Sequence, residues 1–291
     1  MFNFLHSFSP QPILFSLGPI KIYWYGLFIV LGIIAGISIS LFLAQKYYLK
    51  KEKFIDMSFW FIFCGLLGAR LYHILVEFSY YKQHILDVFK IWQGGLAIHG
   101  GILGGLLVLL YFSRKHIHYF ARQNFIIDLK TKDKFCLLAS IVAPAIALGQ
   151  AIGRWGNYFN QELFGYPTSL PWGIPIDPVN RPLNYFSYQF FHPAFLYESI
   201  GDFLIFIFLL FFHFWIIKNR KSLYYNFLLN LAYLFFYSLL RFGTEFIRID
   251  PAPEFFSLRF AQIISLLLMI ITIILFLRSR KDKFHNIFNF S

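Results

Sequence analysis

The sequence predicts an all-α polytopic membrane protein with about seven transmembrane helices, the N-terminus outside and the C-terminus in the cytoplasm. Three observations predict it. The 291 residues are 58% hydrophobic and only 14% charged, against about 25% charged in soluble domains. Seven apolar segments are long enough to cross roughly 30 Å of hydrocarbon. The basic residues sit in short clusters between those segments, and the clusters fall on alternate connections.

Taken in order, the spans are expected near Ile22–Gln45, Met57–Val76, Ile91–Ser113, Phe135–Ile152, Pro193–Ile217, Leu223–Arg241 and Phe260–Leu277. Arg70 interrupts the second, and Glu198 and Asp202 interrupt the fifth. Lys46, Lys50, Lys51 and Lys53 follow the first span. Arg114, Lys115, Arg122, Lys130, Lys132 and Lys134 follow the third. Lys218, Arg220 and Lys221 follow the fifth, and Arg278, Arg280, Lys281 and Lys283 follow the seventh. These clusters hold seventeen of the 26 basic residues. Basic loops stay in the cytoplasm, which sets the orientation. The net charge of +12 therefore reads as loop charge and not as a phosphate-binding groove, so no nucleic-acid partner is expected. Met1 to Gly18 has no basic n-region and contains Pro10 and Pro12, unlike a cleavable signal.

The longest outward connection, residues 153–192, is expected as an irregular extracytoplasmic cap inserted between spans four and five of a single domain, 1–291. Pro167, Pro171, Pro175, Pro178 and Pro182 forbid a continuous helix there. Cys64 and Cys136 lie within apolar runs and suggest neither a disulfide nor a metal site.

With the spans placed in order, unusual polar residues collect toward the outward side. Tyr25 opens span one. His99 opens span three within a run holding Gly94, Gly95, Gly100, Gly101, Gly104 and Gly105. Arg154, Asn157, Asn160, Glu162 and Gly165 follow span four. Tyr237, Arg241 and Glu245 recur every four residues, on one helical face, and Arg248 continues roughly the same stripe. Each has a plainer reading: the glycines let helices approach, Arg70 is a strut, and an Arg–Glu pair neutralises itself. Together, Arg154, Arg241 and Arg248, with Arg70 as a further candidate, form a cationic set suited to a phosphate headgroup, because guanidinium binds phosphate bidentately. His99, Glu162 and Glu245 are the available proton-transfer groups. No nucleophile elbow and no metal-ligand spacing is present in the sequence, so direct transfer on a bound phospholipid without metal or cofactor is expected.

These motifs resemble the prolipoprotein diacylglyceryl transferases of bacteria. The resemblance rests on Gly153-Arg154-x-Gly156-Asn157-x-x-Asn160-x-Glu162-x-x-Gly165, on Tyr23-Trp24-Tyr25-Gly26, on His99-Gly100-Gly101, on His192-Pro193 with Tyr197-Glu198, and on Arg241-x-x-x-Glu245-x-x-Arg248. It implies a multi-pass enzyme of the bacterial inner membrane that moves the diacylglyceryl group of phosphatidylglycerol to the lipobox cysteine in a prolipoprotein signal peptide. It also implies catalytic roles for His99, Arg241, Glu245, Tyr25 and Tyr237, and phosphatidylglycerol binding by Arg154, Asn157, Asn160, Glu162, Gly165 and Arg248. His99 and Glu245 stand as rival bases for the thiol proton. Ser140 departs from the family pattern, which leads one to expect an aspartate that shapes packing or holds a signature arginine. A transporter or binding protein for an anionic solute or lipid is the competing class; it is expected to show an internal repeat, and none is visible in the sequence.

Overall fold

Apolar runs with no partner for their backbone except themselves fold as helices in lipid, and the computed structural model is built from such helices. It describes residues 2–115 and 129–288; Arg122, one of the basic residues placed in the cluster after the third span, lies outside them. Among the described residues six helices are long and apolar enough to cross a bilayer. They are α2 (Trp24–Lys46), α3 (Lys51–Val76), α6 (Thr131–Phe159), α7 (Ala194–Lys218), α8 (Tyr224–Glu245) and the Phe260–Arg280 part of α9 (Phe260–Phe288). Short helices α1 (Phe2–Ser7) and α4 (Phe78–Tyr81) and the apolar α5 (Ile98–Arg114) complete the set. The chain is thus a polytopic membrane protein.

The third expected span differs from the sequence reading. It begins at Ile98 and has 17 residues, the low end of a spanning length. Gly94 and Gly95 stand just before it at φ +91° and +72°, a left-handed backbone that stops the helix from extending back to Ile91.

Two compact units divide the chain, residues 39–141 and residues 1–38 with 142–291. In the first unit α3 packs along α5. A Cβ on Gly100 would overlap the Gly68 carbonyl, and one on Gly104 would overlap that of Cys64. These glycines of the His99 run therefore serve helix approach. Arg70 is buried. Its Nε donates to the Val88 carbonyl at 2.9 Å, its Nη1 to the Gly94 and Gly95 carbonyls at 2.8 and 3.0 Å, and its Nη2 to the Asp87 carbonyl. Four of its five N–H groups thus brace the loop before α5.

In the second unit α2 meets α6 through small residues: a Cβ on Gly32 would lie 3.2 Å from the Gly149 carbonyl, and one on Gly36 3.2 Å from that of Ala145. Ser199 of α7 donates to the Ala151 carbonyl of α6 at 2.7 Å, and a Cβ on Gly201 would run into Leu240 of α8. Three two-stranded ribbons also occur. They are β1 (Ile13–Leu17) with β2 (Ile20–Tyr23), β3 (Ile174–Pro175) with β4 (Phe190–Phe191), and β5 (Glu254–Phe255) with β6 (Leu258–Arg259). The first ribbon places Ile22 and Tyr23 in a strand, so the first long helix starts at Trp24 and not at Ile22.

Residues 153–159, expected outside the fourth span, continue α6 for two further turns. The proline-bearing segment begins at Asn160. It is held over an apolar core of Leu5, Tyr158, Phe164, Ile174, Ile176, Phe191 and Phe195. α1 docks on it through His6, whose Nδ1 lies 2.9 Å from the Gly173 carbonyl and whose ring stacks on Phe190 at 3.9 Å.

Candidate headgroup site

Helix phase builds the site. Arg154 lies in the last turns of α6, Glu198 in the second turn of α7, and Arg241 and Glu245 in the last turns of α8. Antiparallel neighbours bring these ends together at the level of the Asn160–His192 connection. Arg154 Nη2 lies 2.6 Å from Glu198 Oε2, and Arg241 Nη1 lies 3.0 Å from Glu198 Oε1. Arg248 Nη1 reaches the same Oε1 at 3.4 Å. Arg241 Nη2 pairs with Glu245 Oε2 at 2.7 Å. The network continues outward: Arg259 bridges Glu245 at 3.1 Å and Asp250 at 3.1 Å, and Arg248 Nε donates to Asp250 at 2.8 Å.

Exposure sorts these cations into two kinds. The side chains of Arg154 and Arg241 keep 19% and 21% of their surface open, whereas Arg248 keeps 5% and Arg259 10%. The first two are partly open; the second two are buried against the carboxylates they pair with. Glu245 is 2% exposed, with Oε2 at 2.7 Å from Arg241 Nη2 and Oε1 at 3.1 Å from Arg259 Nη1. Burial would raise Asp250, but the Arg248 hydrogen bond and the charges of Arg248 and Arg259 hold it below the usual carboxylate range.

The expected stripe through Arg248 is corrected here. α8 ends at Glu245, and Arg248 sits beyond it in an isolated antiparallel bridge to Gly165. That bridge explains Gly165: a Cβ there would strike Ile247 and His192. Of the other expected residues, Asn157 Nδ2 and Asn160 Nδ2 both donate to Glu162 Oε1, at 2.8 and 3.3 Å. Tyr25 lies against Gly156, where a Cβ would be 2.6 Å from its ring, and it lies within electrostatic reach of Glu162 and Arg154. Tyr237 lies within reach of Arg154, Arg241 and Glu198. His99 belongs to the other unit, at the start of α5, exposed, with its ring 5.7 Å from that of Tyr72. Glu198, Asp250 and Arg259 are site members that the sequence reading left out of its set. Ser140 is buried and donates to the Leu137 carbonyl at 2.8 Å. Arg154 is held by Glu198.

His192 contributes a pH dependence. Trp172 Nε1 donates to the Tyr197 hydroxyl at 2.9 Å, leaving that hydroxyl to meet His192 Nδ1 at 3.1 Å. Burial lowers the His192 imidazole below its ordinary value. A lowered folded value means that the unfolded chain binds the proton more readily, so stability is full above about pH 6.5 and is lost as pH falls through the folded value. Melting of the detergent-solubilised protein is expected to weaken on acidification below that point, and His192→Asn to flatten the profile; an unchanged profile in the variant would show that another group sets it.

Fold and site together define a class: a polytopic membrane protein whose bundle gathers guanidinium groups about buried carboxylates, with two of them partly exposed. A family model for prolipoprotein diacylglyceryl transferase matches residues 12–278. A phosphatidylglycerol–prolipoprotein diacylglyceryl transferase of Synechocystis sp. is 39% identical over 263 residues, 90% of this chain and 87% of that protein. The proteins of that name from Nostoc sp. and Fervidobacterium nodosum are 41% and 37% identical over 89% of this chain, covering 85% and 81% of their own lengths. The chain belongs to the prolipoprotein diacylglyceryl transferase family.

Proposed function

We propose that this chain transfers the diacylglyceryl group of phosphatidylglycerol to the thiol of a prolipoprotein's lipobox cysteine. A carbon–sulfur thioether bond forms, the carbon–oxygen bond to phosphate breaks, and glycerol 1-phosphate leaves. The observation that carries the reading is the meeting of Arg154 and Arg241 on one carboxylate, Glu198, each still partly open. A phosphate between them would gain charge-assisted hydrogen bonds as its bridging bond breaks. Fixed cations aimed at growing negative charge lower the barrier more than they tighten ground-state binding. Arg248, with Asp250 and Arg259, holds the carboxylates in register. Asn157 and Asn160 fix Glu162, and Tyr25 closes the signature turns of α6. The thiol, with an ordinary pKa near 8.5, must lose a proton. His99 is the base the family resemblance offers, and that role rests on the resemblance.

The topology proposed with this function counts α5 as a seventh span, leaves the N-terminus outside and the C-terminus in the cytoplasm, and puts residues 160–192 on the outward face of a bacterial inner membrane. It is supported by the alternation of basic clusters along the sequence.

Purified protein incubated with phosphatidylglycerol vesicles and a lipobox peptide is expected to release glycerol phosphate and to add a diacylglyceryl mass to the peptide thiol. His99→Asn is expected to abolish both products while the protein still inserts. No glycerol phosphate from the wild type would overturn the assigned reaction, and full activity in His99→Asn would remove the histidine from it.

A further inference from the structure

Asp202 lies one turn beyond Glu198 on α7, on the side away from the Asn160–His192 connection. It is 1% exposed, and neither of its carboxylate oxygens accepts a hydrogen bond among the described residues. A buried acceptor without donors is costly. The charged donors within electrostatic reach, Arg154 and Arg241, are ion-paired with Glu198. Of the two tyrosines that sense Asp202, Tyr233 gives its hydroxyl to Gln150 Oε1 at 3.2 Å. Tyr237 stacks on Tyr233 with centroids 6.0 Å apart and is the other. Gln150 and Arg154 on α6, Glu198 and Asp202 on α7, and Tyr233, Tyr237 and Arg241 on α8 each recur at four-residue steps, so each group lies on one helix face. The polar strip thus runs past the two open arginines into the bundle and ends at an acceptor.

The chemistry that suits this end is a neutral pair of hydroxyl donors. A second anion would be repelled there. The headgroup of phosphatidylglycerol is a phosphate followed by two hydroxyls on adjacent carbons. Taking phosphatidylglycerol as the donor lipid, as in the function proposed above, we infer that Asp202 accepts the headgroup hydroxyls while Arg154 and Arg241 take the phosphate, and so determines headgroup specificity. Asp202 does not touch the reacting carbon or sulfur; it recognises the part of the lipid that leaves.

The test compares two lipids of equal charge, phosphatidylglycerol and phosphatidyl-n-propanol, which lacks both hydroxyls, in wild type, Asp202→Ala and Asp202→Asn. Loss of hydrogen bonds to a carboxylate is expected to make the wild type favour phosphatidylglycerol by about tenfold or more in kcat/KM. Asp202→Ala is expected to bring the ratio to about one, by losing phosphatidylglycerol activity alone. Asp202→Asn, which keeps an acceptor oxygen, is expected to retain part of the preference. A wild type that uses both lipids equally overturns the inference whether or not the variants fold. Equal losses for both lipids in Asp202→Ala overturn it too, by assigning the residue to packing or to a held water. A wild type that makes no thioether from either lipid overturns the reaction itself, and the inference with it.

Discussion

Arg154→Ala is expected to lower kcat/KM for phosphatidylglycerol by about 10²–10³-fold, the usual cost of removing one preorganised donor from a developing anion. The loss should fall chiefly on kcat, because the charge that Arg154 meets is larger in the transition state than in the bound lipid. Arg154→Lys is expected to stay low: an ammonium cannot hold Glu198 Oε2 at 2.6 Å and still present a second nitrogen to phosphate. Arg220→Ala, in the turn between α7 and α8 far along both helices from the cluster, is expected to leave activity near wild type. Steady-state kinetics with phosphatidylglycerol vesicles and a lipobox peptide decide the matter. Equal effects of Arg154→Ala and Arg220→Ala would remove the phosphate clamp.

Glu198→Ala is expected to be the most destabilising change in the site. It strips the shared partner from Arg154, Arg241 and Arg248 and leaves buried positive charge uncompensated, a loss of about 3–5 kcal/mol. The thermal midpoint in detergent should fall well below wild type, and transfer should be lost with it. Glu198→Gln keeps the shape and is expected to fold better while remaining poorly active. A double-mutant cycle pairing Glu198→Gln with Arg154→Ala should show strong non-additivity, since both changes break one contact. Additive losses would mean that Arg154 does not depend on Glu198 for its position.

The parts of this molecule that follow from local rules are visible in its sequence. Long apolar runs announce the helices, and ionisable residues within or beside them announce the site, because lipid tolerates such groups only for a reason. Arg154, Arg241 and Glu245 could be picked out on that ground. Glu198 carried the same signal, yet nothing along one chain says which arginines will surround it; three helices must pack before it becomes the hub. Asp250 and Arg259 stand at the two ends of a short stretch broken by Pro251 and Pro253, with no periodicity to mark a shared face. The stripe from Tyr237 was carried past the end of α8 to Arg248 for the opposite reason: the spacing continues although the helix does not. Arg70 looked like a further cation for phosphate. Only the loop carbonyls of Val88, Gly94 and Gly95 reveal that most of its donors are used. The β1–β2 ribbon is hidden because its apolar residues merge with those of the first span, and its turn is marked by Gly18, at φ +59°, and Pro19 alone.

Two of the ion pairs of Glu198 come from α6 and α8, the helices before and after its own. During biosynthesis α7 therefore reaches the bilayer with two acids, Glu198 and Asp202, and with only Arg154 already laid down to receive them. Arg241 arrives later, on the next segment. Until that segment docks, the nascent chain holds costly unmatched charge in an oily surrounding. Completion of the bundle is in this way marked by the pairing of those acids, and a chain stalled before α8 would hold Glu198 without its Arg241 partner.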